Sequence, residues 1–127
     1  MEVKAAATGP IRSHEDIEAF QRAMKLVKPV HEVVKRFPKY EDNDLVQQMR
    51  RASKSIPANI AEGFSKRRSA KDFKLYLAHA LGSVNEMIVH LKISQELGYL
   101  PAEEARELID EYNIVGKQIN KLTQVWR

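Results

Sequence analysis

The sequence predicts an all-α fold, an up-down antiparallel four-helix bundle. Three observations lead there. Apolar residues recur at three-four spacing over four long segments. Short turn-forming stretches separate those segments, which makes successive helices antiparallel neighbours. Glycine and proline number only five each and aromatics make up 7%, whereas Leu, Ala, Glu and Lys are plentiful, a balance that favours helix over strand. At 127 residues the chain is one domain by length and can bury a core without staples.

Residues 1–12 show no periodicity and are expected to form a flexible N-terminal tail ahead of a bundle domain over 13–127. Ser13 precedes Asp16 by three, an approximate capping box that opens the first helix. Ile17, Phe20, Met24, Val27 and Val34 follow as its expected buried stripe, with Pro29 expected to kink it. A second series, Ala23, Leu26, Val30, Val33 and Phe37, widens the apolar arc to about half the circumference. A bundle helix needs a narrower stripe, so the excess is expected to be a subunit contact.

The second helix is expected from about Asp44 to Glu62, with Leu45, Met49, Ala52, Ile56 and Ile60 inward and Gly63 as its C-terminal cap. Pro57 falls inside it. Ser69 and Asp72 cap the third helix, which carries Phe73, Leu77, Ala80, Val84, Met87 and Leu91. Gly98 closes that helix and Pro101 opens the fourth, with Ala105, Leu108, Tyr112, Val115, Ile119, Leu122 and Trp126 on one side.

Charge placement separates the helices further. The first and fourth obey the macrodipole rule: acids open them (Glu15, Asp16, Glu18; Glu103, Glu104, Glu107) and bases close them (Lys35, Arg36; Lys117, Lys121). The middle pair does not. From Asn43 to Lys74 eight bases face three acids, a balance of +5 in a chain whose net charge is +4. Those bases are Arg50, Arg51, Lys54, Lys66, Arg67, Arg68, Lys71 and Lys74. Helical phase turns the first three away from the Leu45/Met49/Ile56 stripe. Clustered cations repel one another, and a polyphosphate is the natural compensating partner. Nucleic acid held through phosphates is therefore the expected ligand; a solvated, solubilising face is the plain alternative. Phe64 and Phe73 are claimed by packing, so no base-stacking platform is expected.

The segments "SHEDIEAFQRAMKLV", "RRASKSIPANIAEGFSKR", "ALGS" and "LGYL" follow one another in an order that resembles a known family. It is the bacterial four-helix bundle proteins first noted in intervening sequences of 23S rRNA genes. The resemblance covers about Ile11 to Trp126, and "SIPANIAEG" (Ser55 to Gly63) is its most specific piece. Relatives include the accessory variability protein of diversity-generating retroelements. The resemblance implies a bundle assembled into a homopentameric ring. In the retroelement branch it also implies a positive surface that binds nucleic acid and a reverse transcriptase. Carried onto this chain, that surface falls on Arg50, Arg51, Lys66 and Arg67. Asn59 and Glu62, within the most specific piece, are expected to be structural, Asn59 bonding backbone freed by Pro57 and Glu62 pairing with a neighbouring base.

An enzyme is not expected, and neither is a cofactor or a metal. No cysteine is present, which removes disulfides and thiolate sites and fits a reducing cytoplasm. His79 and His90 lie three turns apart, about 16 Å along a helix, too far to share a metal. His14 stands at a helix start, and His31 falls on the apolar side of the first helix, where it is expected to pack. "AHALGS" looks like the motif of histidine phosphotransfer bundles, with His79 as the acceptor, but its lysine is missing and Gly82 comes one residue early. A protein–protein scaffold is the other alternative. No stretch reaches the roughly 20 apolar residues of a membrane span, and a cytoplasmic protein with no membrane partner is expected.

Overall fold

The structure, a computed structural model, describes residues 4–5 and 9–127. Helices α1 (Glu18–Val34), α2 (Leu45–Ser65), α3 (Ala70–Glu96) and α4 (Ala102–Val125) carry the fold. Each packs on the next and α4 returns to α1, as in a four-helix bundle. Of the tail expected over 1–12, residues 1–3 and 6–8 lie outside the described residues. Lys4–Ala5 pairs antiparallel with Gly9–Pro10, and Ile11 is buried in the core.

The Ser13/Asp16 box forms, but it opens a single 3-10 turn, His14–Asp16, and not α1 itself. Ser13 Oγ accepts from the Glu15 N–H at 2.9 Å, while Asp16 Oδ2 accepts from the N–H groups of Arg12 and Ser13 at 2.8 and 3.0 Å. These hydrogen bonds, with Arg12's the larger, hold the Asp16 carboxyl below its ordinary range.

The expected α1 stripe holds at its ends, where Ile17 and Val34 are buried, and needs correcting between them, where Phe20 and Val27 are half-buried and Met24 is 50% exposed. Along that stretch Ala19, Ala23, Leu26, Val30 and Val33 are buried instead. The two series differ by roughly 100° around the helix. Small Ala19 and Ala23 let the helix sit close to its neighbours, and the bulkier series is left on the flank. Pro29 is exposed, and α1 runs unbroken through it.

The inward residues expected on α2 and α3 are all buried, as are those on α4 except half-buried Leu108. Gly63, however, does not cap α2, which continues to Ser65. It is buried where α2 meets α3: a Cβ there would stand 2.6 Å from Tyr76 Cβ and 3.0 Å from Phe73 Cδ1. Close approach of two helices, and not a helix end, is what requires glycine.

Gly98 does close α3. At φ +79° it donates to Gln95 O while Tyr99 N donates to Ser94 O at 2.8 Å, a Schellman pair. Tyr99 then crosses to the α1–α2 connection and donates to buried Glu41 at 2.7 Å. The opposite end is closed by aromatic packing, with Trp126 perpendicular to Phe73 at a centroid distance of 4.8 Å.

The apolar excess expected on α1 is larger elsewhere. The outward face of α3 exposes Leu75 (53%), Val89 (53%), Ile93 (39%) and Leu97 (52%). Its inward beat is so regular that the second apolar face, on the far side of the same helix, escapes notice in the sequence.

Candidate nucleic-acid interface

The eight bases separate into two groups. Arg50, Arg51 and Lys54 are exposed on the outer face of α2, in its second and third turns. Lys66, Arg67, Arg68, Lys71 and Lys74 surround the α2–α3 turn at the other end. Sixteen residues from Arg50 to Lys66 span about 24 Å of helix. An extended strand could touch both groups; a small ligand could not.

The turn group is partly committed to the fold. Lys66 Nζ lies 3.8 Å from Glu62 Oε2, the pairing expected from the sequence. Arg67 stacks its guanidinium over the Phe64 ring at 4.2 Å and donates to the Phe64 carbonyl, which satisfies one of the last carbonyls of α2. Ser69 Oγ accepts the Asp72 N–H, so the start of α3 already has a cap. Arg68 and Lys71 are exposed and Lys74 is half-buried.

The α2 group has a different setting. With Gln47, Ser55, Ala58 and His31 of α1 it lines an open depression of about 660 Å³ that contains no carboxylate in its lining. His31 was expected only to pack. It is half-buried, and its Nδ1 lies 2.9 Å from the Val27 carbonyl. A carbonyl can only accept, so Nδ1 carries the hydrogen and Nε2 is the nitrogen left to meet a ligand. Lys28 and Lys35 stand one turn to either side of it on α1. The signal that could have found His31 is antiparallel register across the α1–α2 hairpin, which sets the end of α1 against the start of α2.

Among the described residues, only Lys66 of the eight bases has a carboxylate partner. Three bases elsewhere are paired: Arg22 with Glu111 at 2.7 Å, Lys35 with Glu32 at 3.3 Å, and Arg36 with Glu104.

The remaining candidates fall into structural roles. Asn59 Nδ2 donates to the Ser55 carbonyl at 2.8 Å; Ser53 O, the carbonyl that Pro57 leaves without its helical donor, is two residues away. Ser55 Oγ donates to Ser83 Oγ at 2.6 Å across the α2–α3 seam. His79 is exposed and packs edge-on against Tyr76. His90 pairs with Glu86 at 2.9 Å on its own helix. No group of three or more His, Asp or Glu side chains able to hold a metal occurs among the described residues. No helix there is long and apolar enough to cross a membrane.

Comparison with known proteins places the fold. The model of the family described as 23S rRNA-intervening sequence protein matches residues 15–121. A crystal structure of a protein of unknown function from Bacteroides thetaiotaomicron VPI-5482, assigned to the S23 ribosomal protein family, superposes with a TM-score of 0.74 at 18% identity. The match covers 84% of this chain and 99% of that one, and at this identity it establishes the fold. No curated protein matches.

Proposed function

The chain belongs to the 23S rRNA-intervening sequence protein family, and from that premise we propose a non-enzymatic, self-associating protein that holds nucleic acid, DNA or RNA, through its phosphates. The observation that carries the reading is the unpaired state of the basic surface. Arg50, Arg51, Lys54, Arg68, Lys71 and Lys74 point outward without a carboxylate among the described residues, although acids elsewhere in the chain are used to pair other bases. Their mutual repulsion is relieved when phosphates bind and release counterions. With no aromatic interleaved among them, such binding is weakly sequence-specific.

Titration of a labelled oligonucleotide over a salt series tests this. Log affinity should fall with log salt by about 0.7 to 0.9 per phosphate neutralised. Arg68/Lys71/Lys74→Ala should lower both affinity and slope without altering helix content. Equal binding by that variant and the parent at moderate salt would remove the turn group from the site.

The outward face of α3 favours a protein partner as well. Leu75, Val89, Ile93 and Leu97 form an apolar series that a sister copy, in a ring of five, would cover. Light scattering with and without oligonucleotide checks assembly and ligand together. A scaffold for another protein, a reverse transcriptase among the candidates, is the second reading. A partner that survives nuclease in a pulldown would favour it.

A further inference from the structure

The two basic groups are not equivalent, and the difference lies in what surrounds them. The turn group is spread around the α2–α3 connection, with Arg67 and Lys66 already engaged. The α2 group converges on a depression whose lining brings Arg50, Arg51 and Lys54 together with the hydroxyl of Ser55, the amide of Gln47 and the ring of His31. At about 660 Å³ it admits a nucleotide-sized group and not only a passing backbone oxygen. Three full cations with no lining carboxylate exceed the single charge of an internal phosphodiester. A phosphate monoester carries about −1.5 to −2 at neutral pH and presents three acceptor oxygens. Arginine suits it, since a guanidinium can bind two of those oxygens at once, and Arg50 and Arg51 both line the depression.

His31 adds a chemical requirement. With Nδ1–H committed to the Val27 carbonyl, the neutral ring offers only a lone pair at Nε2. That lone pair repels a fully ionised phosphate oxygen, and it attracts one only if a proton lies between them. A monoester can bring that proton itself, because its second ionisation falls near pH 6. A diester brings none and depends on one taken from solvent. The charged groups facing the ring are Arg50, Arg51 and Lys54 from α2, with Lys28 and Lys35 one turn away on α1. Glu32, the nearest acid in sequence, is turned about 100° around the helix and is paired with Lys35.

We propose that this depression is a seat for a phosphate monoester, the terminal phosphate of a nucleic-acid strand, gripped by Arg50, Arg51 and Lys54 with a proton shared between His31 Nε2 and a phosphate oxygen. The inference rests on the phosphate-binding reading above and deepens it: the turn group attracts any strand, and the α2 seat selects its end.

The experiment compares one 3′-labelled single strand with a 5′-phosphate or a 5′-hydroxyl, by fluorescence anisotropy at 0.15 M salt. The phosphorylated strand should bind at least about fivefold more tightly, the scale of one added charge-assisted pair. Arg50→Gln/Arg51→Gln should bring that ratio to one. Arg68/Lys71/Lys74→Ala should weaken both strands alike and leave the ratio intact. Between pH 6 and 8 the ratio should fall in the parent and not in His31→Ala; the same course in both would overturn the role of His31. Equal affinity of the two strands for the parent protein would overturn the seat.

Calorimetry with a nucleoside 5′-monophosphate, against the unphosphorylated nucleoside, separates this proposal from the broader one. Monophosphate binding without strand binding keeps the seat, assigns it a free nucleotide and sinks the nucleic-acid reading. Strand binding with no response to any phosphomonoester sinks the seat alone.

Discussion

The two faces of α2 are built from one sequence and follow different rules. Inward, Ile56 and Ile60 are fully buried, Pro57 is buried beside them, and Gly63 lets α3 approach to within contact of the backbone. Polar atoms on the α3-facing side are matched locally: Ser55 to Ser83 and Asn59 to the Ser55 carbonyl. Outward, Arg50, Arg51 and Lys54 have no carboxylate partner among the described residues and gather around a depression. The most family-specific run, "SIPANIAEG", therefore serves mainly the packed seam; only its Ser55 and Ala58 reach the depression, whose cations lie ahead of it and on the other side. A motif that marks a family need not mark its site; here it marks what lets two helices touch.

Gly63→Ala is the strongest way to break that division. The added methyl meets Tyr76 Cβ at 2.6 Å and the Phe73 carbonyl at 3.3 Å, and neither is the far end of a flexible side chain. Relief requires the two helices to part, which should cost about 2 to 3 kcal/mol. In urea the midpoint should drop with little change in slope. The preference for a terminal phosphate, measured well below that midpoint, should remain within about twofold, because Arg50, Arg51 and Lys54 lie on the far side of α2. A stable variant that loses this preference would mean that the seam and the surface are one device.

How far the sequence carried each face follows from the same contrast. Inward packing was legible because its signal is periodic: Met49, Ala52, Ile56 and Ile60 on α2, and Phe73 to Leu91 on α3, fall at three-four spacing and are buried. Periodicity failed where two apolar series share one helix. On α1 it could not say which would turn inward, because that depends on the small Ala19 and Ala23. On α3 a regular inward series hid Leu75, Val89, Ile93 and Leu97 behind it. The cations were countable in the sequence, but their separation into a spread end and a lined depression was not. That depends on His31 arriving from another helix. Gly63 was seen, and its reason was misread, since a glycine near a helix end and a glycine at a helix crossing look alike in one chain.

Tyr112→Phe sharpens the comparison from the interior. The Tyr112 ring is fully buried, and its hydroxyl has no hydrogen-bond partner among the described residues. Burial pushes its ionisation upward from the ordinary 10.0. Losing an unsatisfied hydroxyl should raise stability by about 1 kcal/mol at neutral pH. A folded-state ionisation raised above the unfolded one leaves stability intact below pH 10.0 and lowers it progressively above. The parent should thus weaken on the alkaline side more than the Phe variant, and strand affinity should be the same in both. Lower stability in Tyr112→Phe would show that the hydroxyl is satisfied inside the bundle and belongs to a polar network there.

The smallest effect is expected at the start of α1, which belongs to neither face of α2. Asp16 accepts backbone hydrogen bonds from Arg12 and Ser13, and these lower its ionisation below the ordinary 3.8. A depressed carboxyl contributes stability above the unfolded value, and that contribution disappears as pH falls below 3.8 and through the folded value. Asp16→Asn should therefore be slightly less stable than the parent at pH 7, with the difference closing under acid. Asp16 is no more than half-buried, so the change in midpoint should be modest. Fifteen residues separate Asp16 from His31, about 22 Å if helical throughout, and α1 is anchored between them by Ala19, Ala23, Leu26 and Val30. Fraying of the first turn should stop at those residues and leave the terminal-phosphate preference unchanged. If Asp16→Asn abolishes that preference, the depression is shaped by the whole length of α1 and not by the local meeting of His31 with α2.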